Sequence, residues 1–319
     1  MNRVVLLVVL AGAAWLSGCG GGNRSDEGGA PRRLRFAVIP KVVDHPVFHY
    51  ARTGAEQMAE ELGNVDIEWR GPDSADELRQ KEILESFIAQ RVDGIAISTL
   101  NGDFLTETIN RAVDAGIPIV TWDSDAPKSK RIAFYGVDDR AAGRRLGEEA
   151  VRLLKGEGTV AIITTLGATN LQHRLDGVRE ALAKAPGIRV IEVFDIKEDV
   201  VRCAEVIATA SRRYPDLDAW ISVGGWPVFT RTSLANIDPA RTKFLAFDTV
   251  GSALDLLREG KVQILIGQKY FGWGRESVKL LHDIKNGRMP ASPIIDSGVD
   301  VVTQANVEEY AARWKEMSR

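Results

Sequence analysis

The chain has 319 residues, of which 45% are hydrophobic and 27% are charged, and its formal net charge is −3. This composition is typical of a globular protein, and the length suggests about two domains. Positive and negative residues are interleaved along the chain, so the sequence shows no basic patch of the kind that nucleic-acid binding requires.

Residues 1–19 have the pattern of a lipoprotein signal peptide. The apolar run from Val4 to Trp15 follows a short positive region and is too short to span a bilayer. Leu16-Ser-Gly-Cys19 resembles the bacterial lipobox, which implies lipidation of Cys19; the alternative is a signal without a lipid. Residues 20–33 are rich in glycine and polar residues and are expected to form a flexible tether. We therefore expect an exported protein of the cell envelope or periplasm, anchored to a membrane by lipid and not spanning it.

Short β-branched segments alternate with helical patterns along the rest of the chain. The predicted strands are 34–39, 65–69, 94–98, 117–122, 131–136, 159–165, 189–194, 219–223, 243–247 and 262–267. The first helix is expected to end at Gly63, and the second to begin with a capping box formed by Ser74 and Glu77. The third is expected to bury Phe104. Strands that alternate with helices predict βαβ units and parallel sheets.

The ten predicted strands divide into two similar sets of five. The fourth strand of each set ends in an acid, Ile-Val-Thr-Trp-Asp123 in the first and Phe-Leu-Ala-Phe-Asp248 in the second. We therefore predict an α/β fold of two similar doubly wound parallel-sheet domains. Ligands bind beyond the carboxyl ends of such sheets, so Asp123 and Asp248 would face each other across an interdomain cleft.

Several motifs of known chemistry are missing from the sequence. It has no G-x-G-x-x-G after the first strand, no P-loop, no H-E-x-x-H, no Cys/His cluster and no G-x-S-x-G. The other cysteine, Cys203, lies in a helical pattern and is interpreted as a small buried residue. We expect no cofactor, no metal and no catalytic residue, although missing motifs do not exclude an enzyme.

The lipobox, the tether and the two five-stranded halves together resemble a periplasmic sugar-binding protein of the ribose-binding type. Its fold is that of the periplasmic binding proteins of type I and of the effector domains of LacI-type repressors. The resemblance extends from about Leu34 to the C-terminus. It implies two lobes, 34–137 plus 269–297 and 138–268 plus 298–319, joined by a three-segment hinge.

The resemblance also implies a set of ligand-binding residues. They are Asp44, His45, Phe48, Ser98, Asp123, Asp125, Arg174, Trp226, Asp248 and Gln268. The carboxylates would accept hydrogen bonds from sugar hydroxyls, Arg174 would donate them, and Phe48 would cover an apolar face of the sugar ring. The alternatives are a core role for Phe48 and Trp226, a cap role for Ser98 and Asp125, and a surface ion pair for Arg174.

The sequence departs from the family pattern in two places. Val223-Gly-Gly-Trp226 replaces the usual Asn-Asp pair, and Lys197 and Glu198 stand near the position where an aromatic ring often stacks. We therefore do not expect ribose itself to be the ligand.

The sequence favours a monomeric, non-enzymatic lipoprotein that binds a small polar ligand, a monosaccharide, and delivers it to an ABC-type importer. One alternative is a ligand-sensing lipoprotein that feeds a membrane receptor. Another is an exported carbohydrate-active enzyme that uses Asp123, Asp125 and Asp248 as acid, base or metal ligands. A DNA-binding repressor is excluded, because the export signal stands where a helix-turn-helix would be needed.

Overall fold

A computed structural model describes residues 32–317 of the chain. The predicted signal peptide, Cys19 and the tether up to residue 31 lie outside these residues. Within them, no helix is long and apolar enough to cross a membrane.

Strands and helices alternate along the described residues. The strands are β1 (Leu34–Ile39), β2 (Val65–Trp69), β3 (Gly94–Ile97), β4 (Ile119–Trp122), β5 (Ala133–Gly136), β6 (Glu157–Thr164), β7 (Gly187–Asp195), β8 (Ala219–Ser222), β9 (Lys243–Phe247), β10 (Ile264–Gly267), β11 (Ile294–Asp296) and β12 (Asp300–Val302). The helices are α1 (Pro46–Leu62), α2 (Glu77–Ala89), α3 (Gly102–Asp114), α4 (Asp139–Leu153), α5 (Thr169–Leu182), α6 (Val200–Arg213), α7 (Ala253–Arg258), α8 (Tyr270–Lys285) and α9 (Val307–Met317).

The strands form two six-stranded sheets of equivalent order. The first is β11-β5-β4-β3-β1-β2 and the second is β12-β10-β9-β8-β6-β7. Neighbouring strands are parallel except for β12, which runs antiparallel to β10. The predicted fold class, two similar doubly wound parallel-sheet domains, is confirmed. We call each sheet with the helices packed on it a lobe, the first containing β1 and the second containing β6.

The chain passes between the two sheets three times, always through a short segment. It leaves the first sheet after β5, returns after β10, and leaves again between β11 and β12. Helix α4 packs on β8, β9 and β10 of the second sheet, and α8 packs on β3, β4 and β5 of the first. The connecting segments are therefore residues 137–138, 268–269 and 297–299.

The central strands are covered on both faces, as parallel sheets require. All four residues from Phe244 to Phe247 are fully buried. In each lobe two helices approach so closely that only glycine fits between them. A Cβ atom on Gly274 of α8 would lie 1.8 Å from the carbonyl oxygen of Ala51 in α1, and one on Gly143 of α4 would lie 2.1 Å from that of Arg174 in α5.

Three local predictions can be compared with the structure. Helix α1 ends at Gly63 with a left-handed φ of 73°, as predicted. The predicted capping box at Ser74 is wrong, because the cap is Asp76, whose Oδ1 accepts a hydrogen bond from the backbone N–H of Arg79 over 2.9 Å. Phe104 is 42% exposed, so α3 does not bury it.

Candidate functional site

A cavity lies between the carboxyl ends of the two sheets, and we call it the cleft cavity. It contains about 400 Å³ of empty space, part of it open to solvent at the mouth. Seven of the ten predicted ligand-binding residues line it: His45, Phe48, Asp123, Arg174, Trp226, Asp248 and Gln268.

Asp123 enters the cleft cavity at the end of β4. Its carboxylate is almost fully buried, and Oδ2 accepts a hydrogen bond from the hydroxyl of Ser98 over 2.7 Å. The ammonium group of Lys41 lies 3.1 Å from the same oxygen. Ser98 thus contacts Asp123 and does not line the cavity itself, so the structure gives it the position of a supporting residue.

Asp248 occupies the equivalent position at the end of β9. Its Oδ1 accepts hydrogen bonds from the Gln268 amide and from the Tyr270 hydroxyl, both over 2.9 Å. Burial raises the pKa of the Asp248 carboxyl, while the nearby Arg174 charge opposes that rise.

The backbone at these two acids is left-handed. Asp123 has φ 59° and Asp248 has φ 73°, a region that residues other than glycine adopt rarely. Glu198, which also lines the cavity, has φ 59°. Aspartate tolerates this conformation better than most residues, yet such strain is maintained mainly where a site needs it. Its recurrence at both strand ends supports a functional role for the two acids.

Arg174 projects from α5 and is 2% exposed. Its Nε donates to Asp139 Oδ1 over 2.7 Å, and one terminal nitrogen donates to Gln268 Oε1 over 2.9 Å. The guanidinium also lies 4.2 Å from the ring centre of Phe247. Burial raises the pKa of Asp139 to about 7, against the lowering effect of the Arg174 charge. Arg174 is therefore held rigidly at the cavity wall and forms a buried pair.

Lys41 was not predicted, although it lies in the centre of the site. It is 5% exposed, and its Nζ lies 3.3 Å from Asn170 Oδ1 in the other lobe. A second contact between the lobes joins the backbone N–H of Gly102 to the hydroxyl of Thr169 over 3.2 Å. These contacts show that the two lobes are closed on each other.

Aromatic rings form the apolar part of the cavity wall. The imidazole of His45 lies 5.1 Å from the ring of Phe48 and 5.0 Å from that of Phe229 in the other lobe, measured between ring centres. Burial lowers the pKa of His45 to about 4, so the imidazole is neutral at pH 7. Its Nδ1 has no hydrogen-bond partner among the described residues. Phe48 packs edge-on against Trp122, which is fully buried and does not line the cavity.

The segment Val223-Gly-Gly-Trp226, which departs from the family pattern, places the indole of Trp226 in the cavity wall. Trp226 is 2% exposed, and its Nε1 donates to Glu198 Oε2 over 2.8 Å. Burial raises the pKa of the Glu198 carboxyl. A Cβ atom on Gly225 would come within 2.6 Å of Asp248 Oδ2, so any larger residue at this position would displace the Asp248 carboxylate.

Two predicted residues lie away from the cleft cavity. The Asp44 side chain is 86% exposed and binds His49, with 2.9 Å between Oδ1 and Nε2. Asp125 accepts two hydrogen bonds of 2.6 Å from Arg131 and a third from the hydroxyl of Thr121. The Asp125 carboxylate thus accepts its hydrogen bonds from its own lobe, and these bonds hold the loop that follows β4 in place.

Nine lining residues were not predicted, and four of them have polar or aromatic side chains: Lys41, Asn170, Glu198 and Trp273. Lys41 and Glu198 follow the carboxyl ends of β1 and β7, which is the position at which the predicted acids also stand. Their position just after the carboxyl end of a strand is therefore the sequence signal that could have identified both as candidate site residues. Trp273 lies inside α8 and no sequence pattern distinguishes it from a core residue. Among the described residues, no group of three or more His, Cys, Asp or Glu side chains is arranged to hold a metal ion.

The chain is similar to known binding proteins in both sequence and fold. Among curated proteins, the D-ribose/D-allose-binding protein of Pseudomonas aeruginosa is 24% identical over 292 residues, which cover 86% of this chain and 90% of that protein. Among solved structures, a solute-binding protein of an ABC transporter from Burkholderia graminis, in complex with D-arabinose, is 34% identical with a TM-score of 0.83. The match covers 88% of this chain and 98% of that one.

A second solved structure is GanP, a glucose-galactose binding protein from Geobacillus stearothermophilus. It is 28% identical with a TM-score of 0.80, and the match covers 86% of this chain and 99% of that one. The family model described as the periplasmic binding protein domain matches residues 36–289. Because this match covers most of the sequence, the chain belongs to the periplasmic binding protein domain family.

Proposed function

We propose that the protein is a substrate-binding protein that captures a monosaccharide in the cleft cavity and delivers it to an ABC-type importer. The observation that carries this proposal is the meeting of two strand-end carboxylates, Asp123 and Asp248, with Arg174 in one cavity between closed lobes. The ligands named for the relatives, D-ribose, D-allose and D-arabinose, support a monosaccharide.

The cavity wall has the chemistry that a sugar ring needs. The carboxylates can accept hydrogen bonds from two hydroxyls each, while Arg174 and Lys41 can donate to ring or hydroxyl oxygens. Phe48 and Trp226 line the same cavity and offer apolar surface to the C–H groups of the ring. We therefore propose His45, Phe48, Asp123, Arg174, Trp226, Asp248 and Gln268 as ligand-binding residues, with Lys41, Asn170 and Glu198 added.

Ligand would enter an open form and stabilise the closed one. The three connecting segments support lobes of 34–137 plus 269–297 and 138–268 plus 298–319, which rotate about these segments. A ligand that touches both lobes binds the closed form more tightly than the open one, so closure reports that the protein is loaded. The protein would act as a monomer and would bind its ligand without converting it.

The protein would be exported to the periplasm and anchored through lipidated Cys19. The family and the Leu16-Ser-Gly-Cys19 pattern support this location. Metabolic labelling with palmitate should mark the protein, and Cys19→Ala should abolish the label. Equal labelling of both forms would contradict the lipid anchor.

Isothermal titration with D-ribose, D-arabinose, D-xylose, D-allose, D-glucose and D-galactose tests the binding function. We expect at least one to bind with a dissociation constant of about 10 µM or below, equivalent to about −7 kcal/mol. The same samples, followed by NMR for a day, should show no conversion of the sugar. Absence of binding across monosaccharides of every class, or turnover of one, would overturn the proposal.

A further inference from the structure

The charged groups around the cleft cavity do not balance. Its two cations are each paired with an acid: Lys41 Nζ lies 3.1 Å from Asp123 Oδ2, and Arg174 Nε donates to Asp139 over 2.7 Å. Two further carboxylates, those of Glu198 and Asp248, line the same cavity. Within the described residues neither forms an ion pair with a Lys, Arg or His side chain.

The hydrogen-bond partners of Asp248 are neutral. The Gln268 amide separates the acid from Arg174, since its oxygen accepts from Arg174 and its nitrogen donates to Asp248 Oδ1. The other donor to that oxygen is the Tyr270 hydroxyl. Oδ2 of Asp248 accepts no hydrogen bond from the part of the chain that the structure describes, and it lies beside Gly225 at the cavity wall.

Glu198 is placed in a similar way. Its Oε2 accepts from the indole of Trp226 over 2.8 Å, and Oε1 accepts no hydrogen bond from the described residues. The segment from Gly225 to Trp226 therefore contacts both acids, Asp248 at one end and Glu198 at the other. His45 supplies no positive charge, because burial lowers its pKa to about 4.

A carboxylate removed from water needs a counter-charge as well as hydrogen bonds. A sugar hydroxyl can donate one hydrogen bond to such a group but leaves its charge uncompensated. A protonated amine donates up to three hydrogen bonds and supplies the charge. Burial raises the pKa of both Glu198 and Asp248, although the positive charge of Arg174 opposes that rise at both acids and the charge of Lys41 opposes it at Glu198.

We propose that the ligand of the cleft cavity carries a protonated amine that binds against Glu198 and Asp248, so that the substrate class is an amino sugar or an amine-bearing polyol. This inference rests on the proposed function as a monosaccharide-binding protein. It adds the charge of the ligand to that function and names the two acids that recognise it.

The direct test is isothermal titration at pH 7 with matched sets of sugars. Each set contains a monoamino pentose or hexose, with the amine at a different ring position in each set, the parent sugar with a hydroxyl there, and the N-acetyl derivative, which has no charge. We expect at least one amine to bind about tenfold or more tighter than its parent, and its N-acetyl derivative to bind weakly. If a parent sugar binds as tightly as every amine, the inference is overturned while the proposed function stands. If no sugar of any set binds, both are overturned.

Glu198→Gln provides the second test, because glutamine keeps the shape of the side chain and an oxygen that can accept from Trp226. We expect the affinity for the preferred amine to fall about tenfold, equivalent to about 1.4 kcal/mol, and that for its parent sugar to change less than about twofold. Glu205→Gln, an exposed acid on α6, is the matched control and should leave both affinities unchanged. Equal losses for amine and parent in Glu198→Gln would show that Glu198 does not recognise charge.

Proton uptake gives a readout that does not depend on affinity. Titrations of the same ligands in phosphate and in Tris separate the protons taken up on binding from the binding enthalpy. The charged or polar groups that face the two acids are Lys41, Asp123, Arg174, His45, Gln268 and Tyr270. Because burial raises the pKa of Glu198 and Asp248 in the closed cleft, closure around an amino sugar, whose positive charge opposes that rise, should take up fewer protons than closure around its neutral parent. More proton uptake with the amine than with its parent would contradict the inference.

Discussion

Asp248 carries a buried carboxyl group and, in the proposed function, also recognises the ligand, and a single substitution separates these two roles. Because burial raises its pKa, the ionised carboxylate makes the folded state less stable than a neutral group of the same shape would. Asparagine keeps the oxygen that accepts from Gln268 and Tyr270 but cannot offer a charged acceptor to the ligand. The two roles should therefore respond to the change in opposite directions.

Asp248→Asn should lower ligand affinity about 10- to 100-fold, since hydrogen bonds to charged groups contribute about 1.5–3 kcal/mol. Its melting temperature should be equal to that of the wild type or higher. Titration calorimetry and thermal denaturation measure the two effects. Asp44→Asn, at an exposed carboxylate outside the cavity, should change neither quantity. Undiminished affinity in Asp248→Asn would remove this residue from the site.

Asp139 should make the stability of the protein depend on pH. Its pKa rises from 3.8 to about 7 on folding, so the folded state binds the proton more tightly than the unfolded state does. Stability from this group is therefore present below about pH 4 and is lost as the pH rises to about 7, at no more than about 1.4 kcal/mol per pH unit. The charged groups that face it are Arg174, Asp123 and Lys41.

Urea denaturation of the wild type and of Asp139→Asn from pH 4 to pH 8 measures this dependence. The difference in unfolding free energy, wild type minus variant, should fall between about pH 4 and pH 7 and stay constant above. A difference that rises with pH would mean that Arg174 holds the pKa of Asp139 below its ordinary value instead.

The two strand-end acids could be predicted because the sequence repeats the pattern that produces them. An apolar strand followed by aspartate occurs at equivalent places in both halves, and the parallel fold brings such ends together. Lys41 could not be paired with Asn170 in the same way, since 129 residues separate them and only lobe closure joins them. Asp125 looked like a ligand-binding acid, yet its partner Arg131 is only six residues away and satisfies it locally.

At the scale of elements, the position of Arg174 depends on how closely α4 and α5 approach. Gly143 of α4 faces the carbonyl oxygen of Arg174 itself, and Gly177 of α5 faces that of Arg140 in α4. A Cβ atom added to either glycine would lie 2.1 Å from the oxygen that it faces. The two glycines therefore allow the helices to come together. The position of Arg174 in the wall of the cleft cavity thus depends on the packing of α4 against α5.

Gly143→Ala should destabilise the protein by about 1–3 kcal/mol, because the added methyl group forces two packed helices apart. It should also weaken ligand binding, since the displaced backbone carries Arg174. Gly272→Ala in α8 is the matched control: the nearest atoms to its Cβ belong to the Tyr135 side chain, which can move. Urea denaturation and titration calorimetry would compare them, and a Gly143→Ala protein as stable as the wild type would contradict the packing argument.

The regular elements were predictable where hydrophobic periodicity is strong. All ten predicted strands are present, and those in the centre of each sheet are apolar and largely buried, whereas β2 and β7 lie at sheet edges and are only partly buried. The edge strands β11 and β12 were missed, because each has three residues and Ile294 is 58% exposed, so neither shows an alternating pattern. The cap of α2 was misplaced by two residues, since Ser74 and Asp76 are both good capping residues and only the backbone geometry distinguishes them.

For the whole molecule, closure depends on contacts that exist only when the lobes meet. Gly102 is the first residue of α3, and its backbone N–H has no partner within that helix. The hydroxyl of Thr169, in the other lobe, accepts a hydrogen bond from it over 3.2 Å. In an open form water would satisfy the same N–H group. The contact is therefore a direct contribution to the closed state, and Thr169 makes it without lining the cleft cavity.

Thr169→Val removes the acceptor while keeping the shape of the side chain. The closed form then buries an N–H group without a partner, at a cost of about 1–3 kcal/mol, so we expect affinity to fall about tenfold, mainly through faster ligand dissociation. Trp226 and Trp273 line the cavity, so stopped-flow tryptophan fluorescence can follow that step. Thr53→Val, whose hydroxyl bonds only within α1, is the matched control and should dissociate at the wild-type rate. If Thr169→Val also matches the wild type, water replaces Thr169 in the closed form and the contact does not stabilise closure.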